Sequence, residues 1–162
     1  DLVISSKLYQ HDMDASPILP RLEIPLLKRK FFEADSEMSK RLHKASQKFA
    51  TVLISSVSES ELKAFNIRNP KVHYGHIASG DQFVSQKAQA ERIKKDIPEV
   101  ACVEMEGAAV AQVCFEYNVP FSIIRTISDE SNDNAHIDFP KFAEQIASRY
   151  ALGILKEYFS GI

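Results

Sequence analysis

Two stretches of sequence decide the fold: ACVEMEGAAV at residues 101–110 and IIRTISD at residues 123–129. Each stretch begins as an apolar strand and continues into acidic side chains, Glu104 and Glu106 in the first and Asp129 in the second. In an open α/β sheet, ligands bind beyond the carboxyl ends of the strands. We therefore predict a binding site at these two strand ends, with buried carboxylates facing it.

The rest of the chain alternates between strand and helix patterns. We predict strands over residues 2–5, 72–79, 100–104 and 121–128, and helices beginning at Asp35 or Ser36, at Ser85, at Gly107 and at Asp138 or Pro140. Residues 9–28 contain three prolines and are predicted to be irregular. This alternation predicts an α/β fold with a mixed central sheet flanked by helices.

Composition limits the class of protein. The 162 residues are 44% hydrophobic and carry a net charge of −2, so a sequence-independent nucleic-acid binder with a basic excess is disfavoured. No apolar run approaches the roughly 20 residues of a membrane span, so no membrane partner is expected. Cys102 and Cys114 lack metal-ligand spacing and lie in apolar stretches of sequence, so we expect no disulfide framework. This use of cysteine favours a reducing cytoplasm.

The first residues set an expectation about completeness. The sequence opens without Met, enters a strand pattern directly and contains only 5 glycines, with no Gly-rich phosphate loop. We therefore expect residues 1–162 to belong to a single domain and to form its C-terminal portion, with the N-terminal part of that domain missing.

The acidic residues and Arg125 have both structural and functional interpretations. Glutamate at a strand end is usually solvated, but the flanking apolar residues favour function for Glu104 and Glu106. Asp129 suits a turn cap, and Arg125 within an apolar strand needs a partner such as Glu106 or Asp129. Carboxylates at neighbouring strand ends can hold a sugar hydroxyl and deliver a proton, which is the chemistry of glycosidic bond cleavage.

Phe83 and the histidines carry weaker signals. Phe83 follows the turn at residues 80–81 and suits either stacking on a flat ring or the hydrophobic core. The run HDMD at residues 11–14 matches neither zinc nor calcium spacing. The other histidines are scattered, so we predict no metal site, no cofactor and no catalytic histidine.

Three motifs follow one another along the chain: SGDQFV at residues 79–84, VEMEGAAVA at 103–111 and NVPFSIIRTISD at 118–129. Together they resemble the nucleoside phosphorylase/nucleosidase superfamily, and most closely the 5'-methylthioadenosine/S-adenosylhomocysteine nucleosidases. The resemblance is convincing from about residue 75 to the end and weaker before it. It implies a nucleoside phosphorylase-like fold.

The resemblance also implies roles for the residues at the two strand ends. Asp129 matches the general acid that protonates adenine at N7, and Ser128 matches the residue that positions it. Glu106 matches the carboxylate that binds the ribose hydroxyls, with Met105 against the sugar and Arg125 beside the acids. An acid that donates near neutral pH needs a raised pKa, which burial at a strand end supplies.

The base pocket follows from the same resemblance. Phe83 resembles the residue that stacks on the base, the backbone of Val84 reads the adenine edge, and Phe139 forms another wall. Glu104 is included among the substrate-binding residues. The family's N-terminal strand and its water-activating glutamate have no counterpart in this sequence, so we expect that glutamate upstream of Asp1 and expect residues 1–162 alone to be incomplete and inactive.

We therefore predict a hydrolase that cleaves the N-glycosidic bond of methylthioadenosine, S-adenosylhomocysteine or a related adenine nucleoside. A purine nucleoside phosphorylase that uses phosphate is the alternative within the fold, and a non-catalytic nucleoside-binding or storage protein is the alternative outside catalysis. The partner is a small-molecule adenine nucleoside. We also predict a homodimer in which the proline-rich segment after Tyr9 lies near the neighbour's pocket.

Overall fold

The fold is built on a mixed sheet. A computed structural model gives the structure of residues 1–53, 57–128 and 140–160, and within these ranges the sheet has five strands. They are β1 (Leu2–Gln10), β2 (Phe32–Glu33), β3 (Val72–Ser79), β4 (Val100–Glu104) and β5 (Ile124–Thr126). The predicted mixed α/β architecture is confirmed.

Strand β1 lies at the centre of the sheet. It pairs in parallel with β3, which pairs in parallel with β4. The opposite edge of β1 pairs antiparallel with β5 near its start and with β2 near its end. Because β1, β3 and β4 run in one direction, their carboxyl ends meet at the same edge of the sheet.

Helices cover both faces of this sheet. They are α1 (Ser36–Thr51), α2 (Glu59–Ala64), α3 (Lys87–Asp96), α4 (Gly107–Glu116) and α5 (Ser148–Phe159), and a π-helical turn at Ala143–Ala147 leads into α5. As predicted, Asp35 caps α1, because its carboxylate accepts the N–H of Met38 at 2.8 Å.

The two faces are packed differently. On one face, Leu2 and Ile4 of β1 are buried against α1 and α5. On the other face, Val3 packs with Ala108 and Ala111 of α4, as expected from the alternation of side chains along a strand. Each face of the sheet is therefore covered by at least one helix, and the sheet edge at the strand ends stays accessible.

Several predicted boundaries were wrong. The strand predicted over residues 121–128 is only Ile124–Thr126. At one end β2 takes the β1 edge beside Lys7 and Leu8, and at the other end β1 itself begins at Leu2, opposite Thr126. Residues 9 and 10 belong to β1 and not to the irregular segment. The side chains of β4 and β5 are only partly buried, and β4 pairs on one edge alone among the described residues.

Two short elements escaped the sequence analysis. Strand β2 has only two residues, too few for a periodic pattern. Helix α2 begins at a capping box formed by Ser58 and Glu61, and this signal is readable in the sequence SESE at residues 58–61. Among the helices of residues 1–53, 57–128 and 140–160, none combines the length and apolar character needed to cross a membrane.

Candidate active site

A cleft of about 630 Å³ opens at the carboxyl ends of β3 and β4 and beside β5. Its lining includes seven of the nine residues predicted for the site: Phe83, Val84, Glu104, Met105, Glu106, Arg125 and Ser128. The other two, Asp129 and Phe139, lie outside the described residues. The structure thus brings together every predicted site residue that it describes.

Glu104 is the most enclosed acid of the cleft. It is the last residue of β4, and only 10% of its side chain is exposed. Its carboxylate accepts hydrogen bonds from the Ser79 hydroxyl at the end of β3 and from Arg125 of β5. These contacts join the ends of β3 and β4 and the middle of β5 through one carboxylate.

The N-terminus of α4 supplies further donors to the same group. The N–H of Gly107 lies 3.0 Å and 2.9 Å from the two Glu104 oxygens, and the N–H of Glu106 lies 3.2 Å from Oε2. The next N–H, of Ala108, donates to the Ser79 hydroxyl at 2.7 Å. Glu104 and Ser79 therefore satisfy backbone donors that a helix N-terminus otherwise leaves unpaired.

Gly107 makes this approach possible. A Cβ atom at this position would lie 3.0 Å from Glu104 Oε1 and 3.0 Å from Leu8 Cδ2, closer than side-chain contacts normally come. The glycine in the sequence VEMEG is thus explained by the close packing of α4 on the strand ends.

Glu106 differs from the buried carboxylate predicted at this position. The strand ends at Glu104, so Glu106 is the N-cap residue of α4, and 70% of its side chain is exposed to the cleft. Its carboxylate pairs with Arg125, which also pairs with Glu104. The predicted partnership of Arg125 with a carboxylate is confirmed, but the burial predicted for Glu106 is wrong.

Burial affects two other ionisable groups of the cleft. Desolvation lowers the pKa of Arg125, although a guanidinium remains charged at any ordinary pH. Desolvation also raises the pKa of the Cys102 thiol to about 12. Cys102 is therefore a protonated, weakly nucleophilic part of the lining.

The loop after β3 carries the apolar wall of the cleft. Phe83 and Met105 are 44% and 41% exposed and both line the cavity. The loop is tied to the end of β1, since the Asp12 carboxylate accepts the N–H of Asp81 at 2.7 Å and the N–H of His11 donates to the Ser79 carbonyl at 2.9 Å. Phe83 thus lies at the ligand cleft, in agreement with the stacking interpretation and not with a core position.

Some lining residues were missed by the sequence analysis. Ser79, Gln82, Lys94, Cys102, Thr126 and Ile127 contact Glu104 or line the cavity. Ser79 could have been found, since it ends a predicted strand at the same sheet edge. Lys94 could not, because it lies on the predicted helix and only the packing of α3 beside β4 brings it near. No group of three His, Cys, Asp or Glu side chains suited to a metal occurs in the described part of the chain.

The arrangement has a clear chemical capacity. An exposed carboxylate, fixed by a guanidinium, can accept hydrogen bonds from the hydroxyl groups of a sugar. An exposed aromatic ring and a thioether beside it can contact a flat base and an apolar sugar face.

Comparison with known proteins gives consistent matches. The family model of the phosphorylase superfamily matches residues 1–160. The 5'-methylthioadenosine/S-adenosylhomocysteine nucleosidase of Glaesserella parasuis is 31% identical over 162 residues, which cover 98% of this chain and 62% of the relative.

Solved structures agree with these sequence matches. The 5'-methylthioadenosine/S-adenosylhomocysteine nucleosidase of Neisseria meningitidis, in complex with methylthio-immucillin-A, superimposes with a TM-score of 0.80 at 29% identity and covers 100% of this chain and 62% of its own. Futalosine hydrolase of Helicobacter pylori superimposes with a TM-score of 0.79 at 29% identity, covering 100% and 60%. The chain thus spans about three fifths of the length of these proteins.

Proposed function

Because the chain belongs to the phosphorylase superfamily, we propose that the protein hydrolyses the N-glycosidic bond of methylthioadenosine, S-adenosylhomocysteine or a related adenine nucleoside and releases adenine. The observation that carries this proposal is the cleft in which Arg125 holds Glu106 and which an exposed Phe83 also lines. The names of the similar proteins support it, since the relative and one of the two solved structures are nucleosidases of these substrates.

The roles proposed for the residues follow the order of the substrate. Phe83 stacks on adenine and the Val84 backbone contacts the edge of the base, with Phe139 as another wall. Met105 lies against the ribose, and Glu106 binds the ribose hydroxyls. Charge develops on the sugar as the glycosidic bond breaks, and a carboxylate held nearby stabilises the resulting oxocarbenium-like ribose.

Asp129, with Ser128 beside it, is proposed as the general acid. Protonation of adenine at N7 makes the base a neutral leaving group, so the bond breaks without expelling an anion. Asp129 directly follows Ser128, which lines the cleft. We expect Asp129→Asn to lower the rate of adenine release by about a hundredfold or more, because an amide cannot donate a proton in this way.

Adenine release from methylthioadenosine in phosphate-free buffer tests the activity. We expect the full-length protein to release adenine without phosphate. Strict dependence on phosphate would instead indicate a phosphorylase, and tight nucleoside binding without turnover would indicate a binding protein. Futalosine serves as a second substrate, because preferential cleavage of it would move the proposal toward the activity named for the Helicobacter pylori neighbour. The matched control for Asp129→Asn is Glu91→Gln, which changes an exposed carboxylate of α3.

We also propose that the protein acts in the cytoplasm as a homodimer. The segment that follows β1 supports the dimer, because Ile18 and Leu26 on it are 87% and 99% exposed. Large exposed apolar side chains are common at interfaces between proteins. Light scattering of the purified protein tests the dimer, and a monomer at micromolar concentration would contradict it.

A further inference from the structure

The hydrogen bonds of Glu104 leave it no capacity for a ligand. Oε1 accepts from the Ser79 hydroxyl and from the N–H of Gly107, and Oε2 accepts from Arg125 and from the N–H groups of Glu106 and Gly107. An ionised carboxylate offers about four lone-pair positions, and these donors occupy them. Only 10% of its side chain is exposed, so little of Glu104 faces the cleft that it helps to line.

The same contacts fix Glu106 in two ways. The backbone N–H of Glu106 donates to Glu104 at 3.2 Å, and the Glu106 carboxylate pairs with the Arg125 nitrogen that Glu104 also holds. A guanidinium is planar and rigid, so fixing one nitrogen orients the whole group. A glutamate that is 70% exposed would otherwise sample several rotamers, and ordering it on binding would weaken affinity.

We propose that Glu104 is a positioning residue, which holds Glu106 ready for the ribose hydroxyls through Arg125 and is itself held by Ser79 and the α4 N-terminus. It does not contact the substrate. This inference rests on the proposed function, because it assigns Glu106 to the ribose. It replaces the substrate-binding role that the sequence analysis expected for Glu104.

Two ligands separate this role from a general structural one. Adenine alone probes the base wall formed by Phe83, whereas a C-nucleoside analogue of adenosine, in which a carbon–carbon bond replaces the glycosidic bond, also engages Glu106 and resists cleavage. For Glu104→Gln, we expect calorimetry to show about a 10- to 100-fold loss of affinity for the C-nucleoside. Affinity for adenine should stay within about twofold, as it should for both ligands in the control Glu91→Gln.

A double-variant cycle then tests whether Glu104 acts through Glu106. In a protein that already carries Glu106→Gln, adding Glu104→Gln should cost no further affinity for the C-nucleoside, because the group being positioned is gone. Additive losses would overturn the proposal, since they would mean that Glu104 contributes to binding independently.

The remaining outcomes are also decisive. Equal losses of adenine and C-nucleoside affinity, or wild-type affinity for both, would overturn the positioning role. If Glu104→Gln fails to fold by circular dichroism, Ser79→Ala removes one anchor of Glu104, and we expect a smaller loss confined to the C-nucleoside. Wild-type protein that binds neither ligand would instead overturn the proposed function itself.

Discussion

The helical core and the cleft use opposite means to hold their side chains. The helical core consists of the buried residues of β1, α1 and α5, and in it Phe49 and Tyr150 meet edge to face at 5.3 Å while only 1% and 2% exposed. In the cleft, Phe83 and Met105 are nearly half exposed, and the polar side chains are held by ion pairs and helix N–H groups.

This difference means that the helical core contributes mainly to the stability of the fold, whereas the cleft is built for ligand binding. Apolar burial contributes most of the free energy of folding, and the close approach of α1 and α5 at Gly153, where a Cβ would overlap the Phe49 ring, increases it. The cleft must leave surface open for a ligand, so its order comes from hydrogen bonds to a few charged groups. Substitutions in the two regions should therefore affect different measurements.

The largest expected effect is on stability in the helical core. Phe49→Ala removes a buried aromatic side chain, so we expect the free energy of unfolding to fall by about 3–5 kcal/mol in urea titrations. Phe159→Ala, at a ring that is 60% exposed on α5, should cost less than about 0.5 kcal/mol. Similar losses for the two variants would contradict the contrast between buried and exposed positions.

The second effect is on activity in the cleft. For Glu106→Gln we expect adenine release to slow by about a hundredfold, because the neutral amide stabilises positive charge on the ribose poorly. Its unfolding free energy should stay within about 0.5 kcal/mol of wild type, since most of the side chain is exposed. A stability loss as large as that of Phe49→Ala would show that the cleft network holds the fold together.

The smallest effect concerns an ion pair at the border of the helical core. The Ser58 hydroxyl and backbone N–H, together with Arg149 of α5, lower the pKa of Glu61 from 4.5 to about 2. The unfolded chain therefore binds a proton more readily than the folded protein, and this stabilisation is present above about pH 4.5 and lost as pH falls toward 2.

A pH series of urea titrations measures this linkage. We expect wild type to be more stable than Glu61→Gln at pH 7. The difference in unfolding free energy should shrink as the pH falls from 5 toward 3, because the unfolded chain takes up the proton in this range before the folded protein does. Glu91→Gln is the matched control. A difference that grows on acidification would have the wrong sign and would contradict the assignment.

Much of the fold was predictable because its longer elements carry strong local patterns. Strands β3 and β4 have their predicted bounds and helix α4 begins at Gly107 as predicted. Asn118, the residue after the Tyr117 C-cap of α4, adopts a left-handed conformation with φ 55°. The extent of β5 was not predictable, because it depends on which part of the β1 edge is left by β2.

The candidate site was predictable as a set of residues but not as a network. The motifs VEMEG and IIRTISD identified Glu104, Glu106 and Arg125, and all three line one cleft. The expected route was wrong for Arg125, because β5 runs antiparallel to β1 and its side chain reaches the glutamates from there, not from a shared carboxyl edge. Nothing in the sequence separates the environments of the two glutamates, since both flank Met105 in similar surroundings. Their exposures of 10% and 70% arise because the strand ends at Glu104 and the helix begins at Gly107.

The sequence by itself thus determined the alternation of strands and helices and the position of acids at the strand ends, because both depend on neighbours along the chain. Only the tertiary structure decided what each acid does. Ser79 and Arg125 lie 25 and 21 residues from Glu104 along the chain, yet they converge on its carboxylate. That convergence, set by strand order and helix packing, occupies the Glu104 carboxylate and leaves the Glu106 carboxylate largely exposed to the cleft.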